Sequence, residues 1–179
     1  MGGHGTTLGG AIVDSGKFPW KKHRRFPMFS RPDPSYHDLV YTDHHKNAAF
    51  IGRCRSVYQW TSGAVLPPLS ASLLLQGIET VPLRVERHVA NGQRVAEFLL
   101  HHRQVEWVNY AGFPNSPYFD LAQKYLGGHG CSLTTFGVKG GFEAGKKFYD
   151  ALKLIKRLVN IGDAKTLACH PASTTHRQM

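Results

Sequence analysis

Residues 70–102 read SASLLLQGIETVPLRVERHVANGQRVAEFLLHH, the longest helical pattern in the chain. Leu74, Ile78 and Val81 recur at helical spacing, and Val85, Val89, Ala96 and Leu99 continue the apolar theme. Glu86, Arg87, Asn91, Gln93 and Arg94 supply a polar side. Pro82 has no backbone N–H to donate and disfavours helix at Val81. The pattern predicts two helices broken at Pro82, the first capped by Ser70 after Pro67-Pro68. Gly/Pro-rich sequence precedes this rod and alternating strand and helix sequence follows it, so it reads as a bridge between two domains.

Upstream, Ala11-Ile12-Val13 is a short β-branched run that predicts a strand, stopped by Asp14-Ser15-Gly16. Residues 17–43 mix prolines, aromatics and charge, with a turn cluster at Pro32, Pro34 and Ser35. Residues 47–60 predict an amphipathic helix on which Ala49, Phe50, Cys54, Val57 and Tyr58 share a face. Downstream, strands are predicted at 105–110, 132–138, 158–161 and 166–169. Helices are predicted at 117–126, ended by Gly127-Gly128, and at 142–157. The second sets Phe148, Ala151, Leu152 and Ile155 against Lys146, Lys147, Asp150, Lys153 and Lys156. Strand, helix, strand, helix, strand, strand describes a small α/β domain.

Composition narrows the classes. A hydrophobic content of 41% with 19% charged residues over 179 positions suits a packed core and excludes a disordered chain. The apolar runs are too short to cross a bilayer, and no charged stretch followed by an apolar run opens the chain as a secretory leader does. Three widely spaced cysteines, Cys54, Cys131 and Cys169, fit reduced thiols in a cytoplasmic protein better than a disulfide framework. The net charge of +10 raises a nucleic-acid-binding module as an alternative of another class. The basic residues are dispersed, however, and the one dense run, KFPWKKHRR, sits among prolines and aromatics as a solvated loop. Neither nucleic acid nor membrane is therefore an expected partner.

Candidate chemistry is sparse. The opening MGGHGTTLGG is glycine-rich but matches neither the dinucleotide fingerprint nor the P-loop. Tyr36, His37, Tyr41, His44 and His45 cluster in sequence without a recognised ligand spacing, so no metal is expected there and the segment reads as an ordered surface excursion. No G-x-S-x-G elbow supports a serine nucleophile.

Three blocks carry a resemblance. GGHGTTLGG followed by AIVDSGKF is similar to the stretch after the cofactor lysine in the pyridoxal-phosphate enzymes of cysteine and methionine metabolism. LLLQGIETVPLRVERH resembles that family's inter-domain helix, and NIGDAKTLACHPASTTHRQ resembles its carboxylate-binding region. The RPDPSYH insertion and the ETVPLRVERH wording bring the chain nearest the O-acetylhomoserine sulfhydrylases, with cystathionine γ-synthase and methionine γ-lyase as alternatives within the family.

The resemblance implies a fold-type I pyridoxal-phosphate transferase (aspartate-aminotransferase-like). Residues 1–77 would be the remnant of the large cofactor-binding domain, and residues 78–179 the small C-terminal domain. It implies pyridoxal 5'-phosphate as cofactor, O-acetyl-L-homoserine and sulfide as substrates, homocysteine for methionine biosynthesis as product, and a homotetrameric parent. The cofactor is the electron sink, while the protein supplies orientation and proton control. The family's lysine falls before Met1, with its flanking serine and threonine, the ring-stacking tyrosine and the aspartate partner of the pyridine nitrogen. The carboxylate-gripping arginine falls beyond Met179. The expectation is a C-terminal portion trimmed at both ends and inactive by itself, with no catalytic residue of its own.

By the same resemblance, Asn160 and the Ile161 backbone match the substrate-carboxylate contact. A polar residue that merely ends a strand remains an equal reading. Thr175 falls near that pocket, and a turn-stabilising hydroxyl is equally open. Gly3 and His4 lie beside the lysine position, where His4 is expected to pack or hydrogen-bond rather than act as a base. His170, His176 and the cysteines are expected to be structural.

Overall fold

The computed structural model describes residues 1–178. The chain divides into two compact units, Gly9–Ala71 and a second made of Met1–Leu8 with Ser72–Met179. No helix among the described residues is long and apolar enough to cross a membrane.

In Gly9–Ala71, three 3-10 turns, Trp20–Lys22, Pro27–Phe29 and Pro34–Tyr36, lead into the short helices α1 (Tyr41–His44) and α2 (Ala49–Arg53). α2 runs on through a π-helical turn, Cys54–Gln59, into α3 (Trp60–Ser62), which Gly63 ends in a left-handed conformation. Phe29, Tyr41 and Ala49 are buried together, with Trp20, Phe26, Leu39, Phe50 and Val57 packed around them. The Trp20 ring lies 4.3 Å from Phe29 and stacks at 5.7 Å on Phe50. Of the segment expected to be a surface excursion, Tyr41 is instead buried in this core, while His37 and His44 remain exposed. Short 3-10 turns carry no hydrophobic period, so ring-on-ring burial of this kind leaves no trace in the pattern.

That core is keyed by a buried ion pair. Asp33 accepts from the Ser35 N–H at 3.0 Å and the Ser35 hydroxyl at 2.6 Å, and it pairs with Arg53. The Arg53 guanidinium sits 5.2 Å over the ring of fully buried Tyr41, whose hydroxyl meets Ser56 Oγ at 2.7 Å. The expected strand at 11–13 does not form, and Ile12 and Val13 are 66% and 92% exposed. A strand needs a neighbour for its N–H and C=O groups, and this segment has none in the described residues.

The second unit holds the rod: α4 (Pro68–Glu79), which begins in the first unit, and α5 (Val81–Leu100). They part at Thr80, where Pro82 takes the second position of α5 and its missing N–H costs nothing. The break is as expected. Ser70 instead lies inside α4, because Pro68 starts the helix two residues earlier. Strand β1 (Val105–Asn109), helix α6 (Phe119–Tyr125), strand β2 (Thr135–Val138), helix α7 (Gly141–Asp150) and strands β3 (Lys156–Arg157) and β4 (Leu167–Ala168) follow. The predicted order of strands and helices is therefore present. β1 and β2 pair antiparallel, with a register shift between Val105 and Trp107, while β3 and β4 pair parallel.

β2 starts three residues later than expected, and two boundaries differ more. α7 stops at Asp150, so Leu152 and Ile155 lie outside the helix they were expected to line. The strand expected at 158–161 is displaced to Lys156–Arg157, and residues 158–166 become the loop joining β3 to β4.

Candidate functional site

The loop between β3 and β4 is organised by Asp163. Its carboxylate accepts the Lys165 backbone N–H at 2.9 Å, an Asx turn of the kind short acidic side chains make, and the Lys165 ammonium lies 3.5 Å away. The Lys165 N–H foremost, aided by the Lys165 charge and the Asn160 amide, holds the Asp163 carboxyl below the usual carboxylate range against its burial. Next to it, the Ala164 N–H donates to the Gly3 carbonyl at 2.7 Å. A Cβ built on Gly5 would lie 3.7 Å from both Asn160 Nδ2 and Asp163 Oδ2. The fold therefore brings the segment that carries Gly3, His4 and Gly5 to the Asn160–Ala164 loop, across more than 150 positions of sequence.

The glycine segment is held from the other side by the rod. Arg84 donates to the Met1 carbonyl at 2.9 Å and the Gly77 carbonyl at 2.8 Å, and bonds Thr80 as well. Gly3 has φ +79°, and its missing Cβ would stand 2.7 Å from the guanidinium. Gly77 lets the segment lie directly on α4: a Cβ there would fall 2.5 Å from Gly2 Cα.

Asn160 is exposed and Ile161 is 75% exposed, so the amide and the Ile161 backbone are open to a ligand. Thr175 has other company: its hydroxyl meets His176 Nδ1 at 2.8 Å and lies 3.9 Å from Cys169 Sγ. His170 bonds Ser173 Oγ at 2.7 Å and packs beside Phe142 and Tyr149. Asp163 and Arg84 are the residues that sequence reasoning missed. The two-residue Asp-x-Lys spacing was a visible turn signal for Asp163, whereas nothing in the pattern marks Arg84 as reaching Met1.

Pyridoxal phosphate needs an amine for its aldehyde, an anion for its pyridine nitrogen and donors for its phosphate. Around Gly3, His4 and Asn160 the cations are engaged elsewhere, Arg84 on carbonyls and Lys165 on Asp163. An open groove lined by Glu143, Ala144, Lys146, Lys147 and Asp150 lies on α7 instead. The described residues form one wall and do not by themselves make a cradle for this cofactor.

Comparison with known proteins accounts for an incomplete site. A family profile described as "Cys/Met metabolism PLP-dependent enzyme" matches residues 1–179. The chain is 49% identical over 179 residues to O-acetyl-L-homoserine sulfhydrylase 1 of Thermus thermophilus, covering 100% of this chain and 42% of that protein. It is 49% identical over 181 residues to homocysteine synthase of Schizosaccharomyces pombe, again covering 42% of the relative. A Campylobacter jejuni structure described as an O-acetylhomoserine (thiol)-lyase, with N'-pyridoxyl-lysine-5'-monophosphate, superposes with a TM-score of 0.80 at 37% identity. It spans 89% of this chain and 38% of its own. The architecture is thus an α/β portion of the fold-type I enzymes, and the chain spans about 42% of the length of the curated relatives it matches. With its whole length matched by the family profile, the chain belongs to the Cys/Met metabolism PLP-dependent enzymes.

Proposed function

We propose that this chain is the C-terminal part of an O-acetylhomoserine sulfhydrylase. Such an enzyme joins sulfide to the four-carbon chain of O-acetyl-L-homoserine and releases acetate and L-homocysteine, a step toward methionine. The observation that carries this reading is the meeting of Gly3 and Gly5 with the Asn160–Asp163 turn. The segment that follows the family's lysine and the segment that receives the substrate carboxylate lie in one contact. The exposed Asn160 amide and Ile161 backbone would bind and orient that carboxylate. Gly3 keeps the approach narrow and free of side chain, and His4 beside it is exposed rather than packed as expected. Thr175 joins the same pocket only after a change of partner from His176.

Pyridoxal 5'-phosphate, when bound, supplies the electron sink for loss of acetate. Its lysine lies upstream of this segment in the family, so the 179-residue chain by itself does not catalyse. Residues 1–77 belong to the large domain and 78–179 to the small one, in a cytoplasmic homotetramer.

The test has two arms. The purified chain, mixed with pyridoxal phosphate and treated with borohydride, should yield no stably labelled lysine; stoichiometric labelling at one lysine contradicts the reading. Joined to an upstream portion from a sulfhydrylase relative, it should make homocysteine from O-acetyl-L-homoserine and sulfide. Product with cysteine but none with sulfide would move the assignment to the γ-synthases.

A further inference from the structure

We infer that Asp163 is a positioning residue for recognition of the substrate carboxylate: buried under the Gly3–Gly5 loop beside the Asn160 amide, it decides which edge of that amide faces the ligand. The inference rests on the reading of Asn160 as a carboxylate contact.

The argument starts from burial. The Asp163 side chain is 5% exposed, so its oxygens must find donors inside the protein. Oδ1 has them, in the Lys165 backbone N–H and the Lys165 ammonium. Oδ2 is the oxygen turned toward Gly5, and Asn160 Nδ2 borders the same spot. A Cβ at Gly5 would make ordinary contact with both, so the two side chains face the same stretch of the loop.

A carboxamide presents an acceptor on one edge and two donors on the other. Without guidance it can offer a ligand either edge, and an acceptor edge would repel a carboxylate. The Asp163 carboxylate accepts only, so it rejects the Asn160 oxygen and attracts one N–H. The amide nitrogen is then fixed on the Asp163 side, and its second N–H points away as a preset donor. Lys165, 52% exposed, balances the buried charge without competing for Asn160. The depressed titration of Asp163 agrees with a carboxylate that stays ionised for this task.

Nuclear magnetic resonance of the 15N-labelled chain tests this on the Asn160 side-chain amide. In the wild-type chain without ligand, the two Nδ2 protons should differ in exchange rate by about tenfold, the slower one facing Asp163. Asp163→Asn should equalise them and weaken an O-acetyl-L-homoserine titration about tenfold. Slow exchange of the Ala164 N–H should persist in that variant, because an uncharged amide still accepts from Lys165. Equal rates in the wild-type chain, or an unchanged Asn160 pair in Asp163→Asn, overturns the inference, and the wild-type measurement needs no variant to fold. A wild-type chain whose Asn160 ignores O-acetyl-L-homoserine refutes the carboxylate-contact reading instead, while the unliganded exchange rates still decide the role of Asp163.

Discussion

Gly77→Ala separates packing from helix propensity because the two predict opposite signs. Gly77 lies inside α4, where alanine in place of glycine ordinarily stabilises by about 1 kcal/mol. Here the added Cβ would stand 2.5 Å from Gly2 Cα and 2.7 Å from the Gly2 carbonyl carbon, against a comfortable carbon–carbon separation of about 3.5–4.0 Å. Both neighbours are backbone, so no side chain can swing aside. If the segment stays, overpacking costs about 1–3 kcal/mol. If it lifts off, the bonds from Arg84 to Met1 and from Ala164 to Gly3 are lost, at about 1 kcal/mol each. Either way about 2 kcal/mol of cost is set against about 1 kcal/mol of propensity gain, a net loss near 1 kcal/mol. Urea denaturation reads the sign, and hydrogen exchange at Ala164 reports the lifting. A variant that is more stable than the parent, with Ala164 still protected, would refute the reasoning.

Other perturbations follow from the same structure. Asp33→Asn should destabilise the Gly9–Ala71 unit by about 3 kcal/mol, since it strands Arg53 in the core; a loss below about 1 kcal/mol in urea denaturation rejects a structural role for the pair. Hydrogen bonding from the Ser35 hydroxyl, then from Arg53, holds the Asp33 carboxyl below its ordinary value, and Asp163 is depressed as well. A depressed carboxylate stabilises the fold above its unfolded pKa, about 4, and that stability drains away as pH falls through the folded value. Thermal midpoints should therefore be flat in pH near neutrality and fall below about pH 4, less steeply in Asp33→Asn. Tyr110 is 2% exposed and its hydroxyl has no partner among the described residues, so Tyr110→Phe should leave the thermal midpoint unchanged or raise it; a clear fall would reveal a bond to the hydroxyl. Burial, with Cys131 and Glu97 adding, pushes that phenol up, so ultraviolet titration should show one tyrosine ionising later than the rest.

What the chain discloses of itself follows from the range of each interaction. The rod was legible because its apolar residues repeat within one turn and Pro82 marks the break locally. The strand–helix alternation after residue 105 was legible for the same reason. The 11–13 segment looks like a strand in every local respect, yet strandness is settled by a partner that composition cannot reveal. The core around Phe29 and Tyr41 was hidden because rings on irregular turns obey no period. At the site, Asn160, Gly3 and His4 entered through wording shared with a family, and the contact between their two segments was invisible in spacing. Asp163 hid behind an apparent strand end, and Arg84 looked like one more charge on a polar helix face.

α5 gives the molecule a lever. From Arg84 to Leu100 it climbs sixteen residue steps, about 24 Å at the rise of an α-helix. One end grips the Met1 carbonyl, and the other delivers the chain to β1. A tilt of one degree about either end moves the opposite end by about 0.4 Å over that helical length. The antiparallel hairpin and the glycine segment therefore share a mechanical advantage. A disturbance too small to break any bond in the sheet is enough to misalign a donor at the far end of the arm.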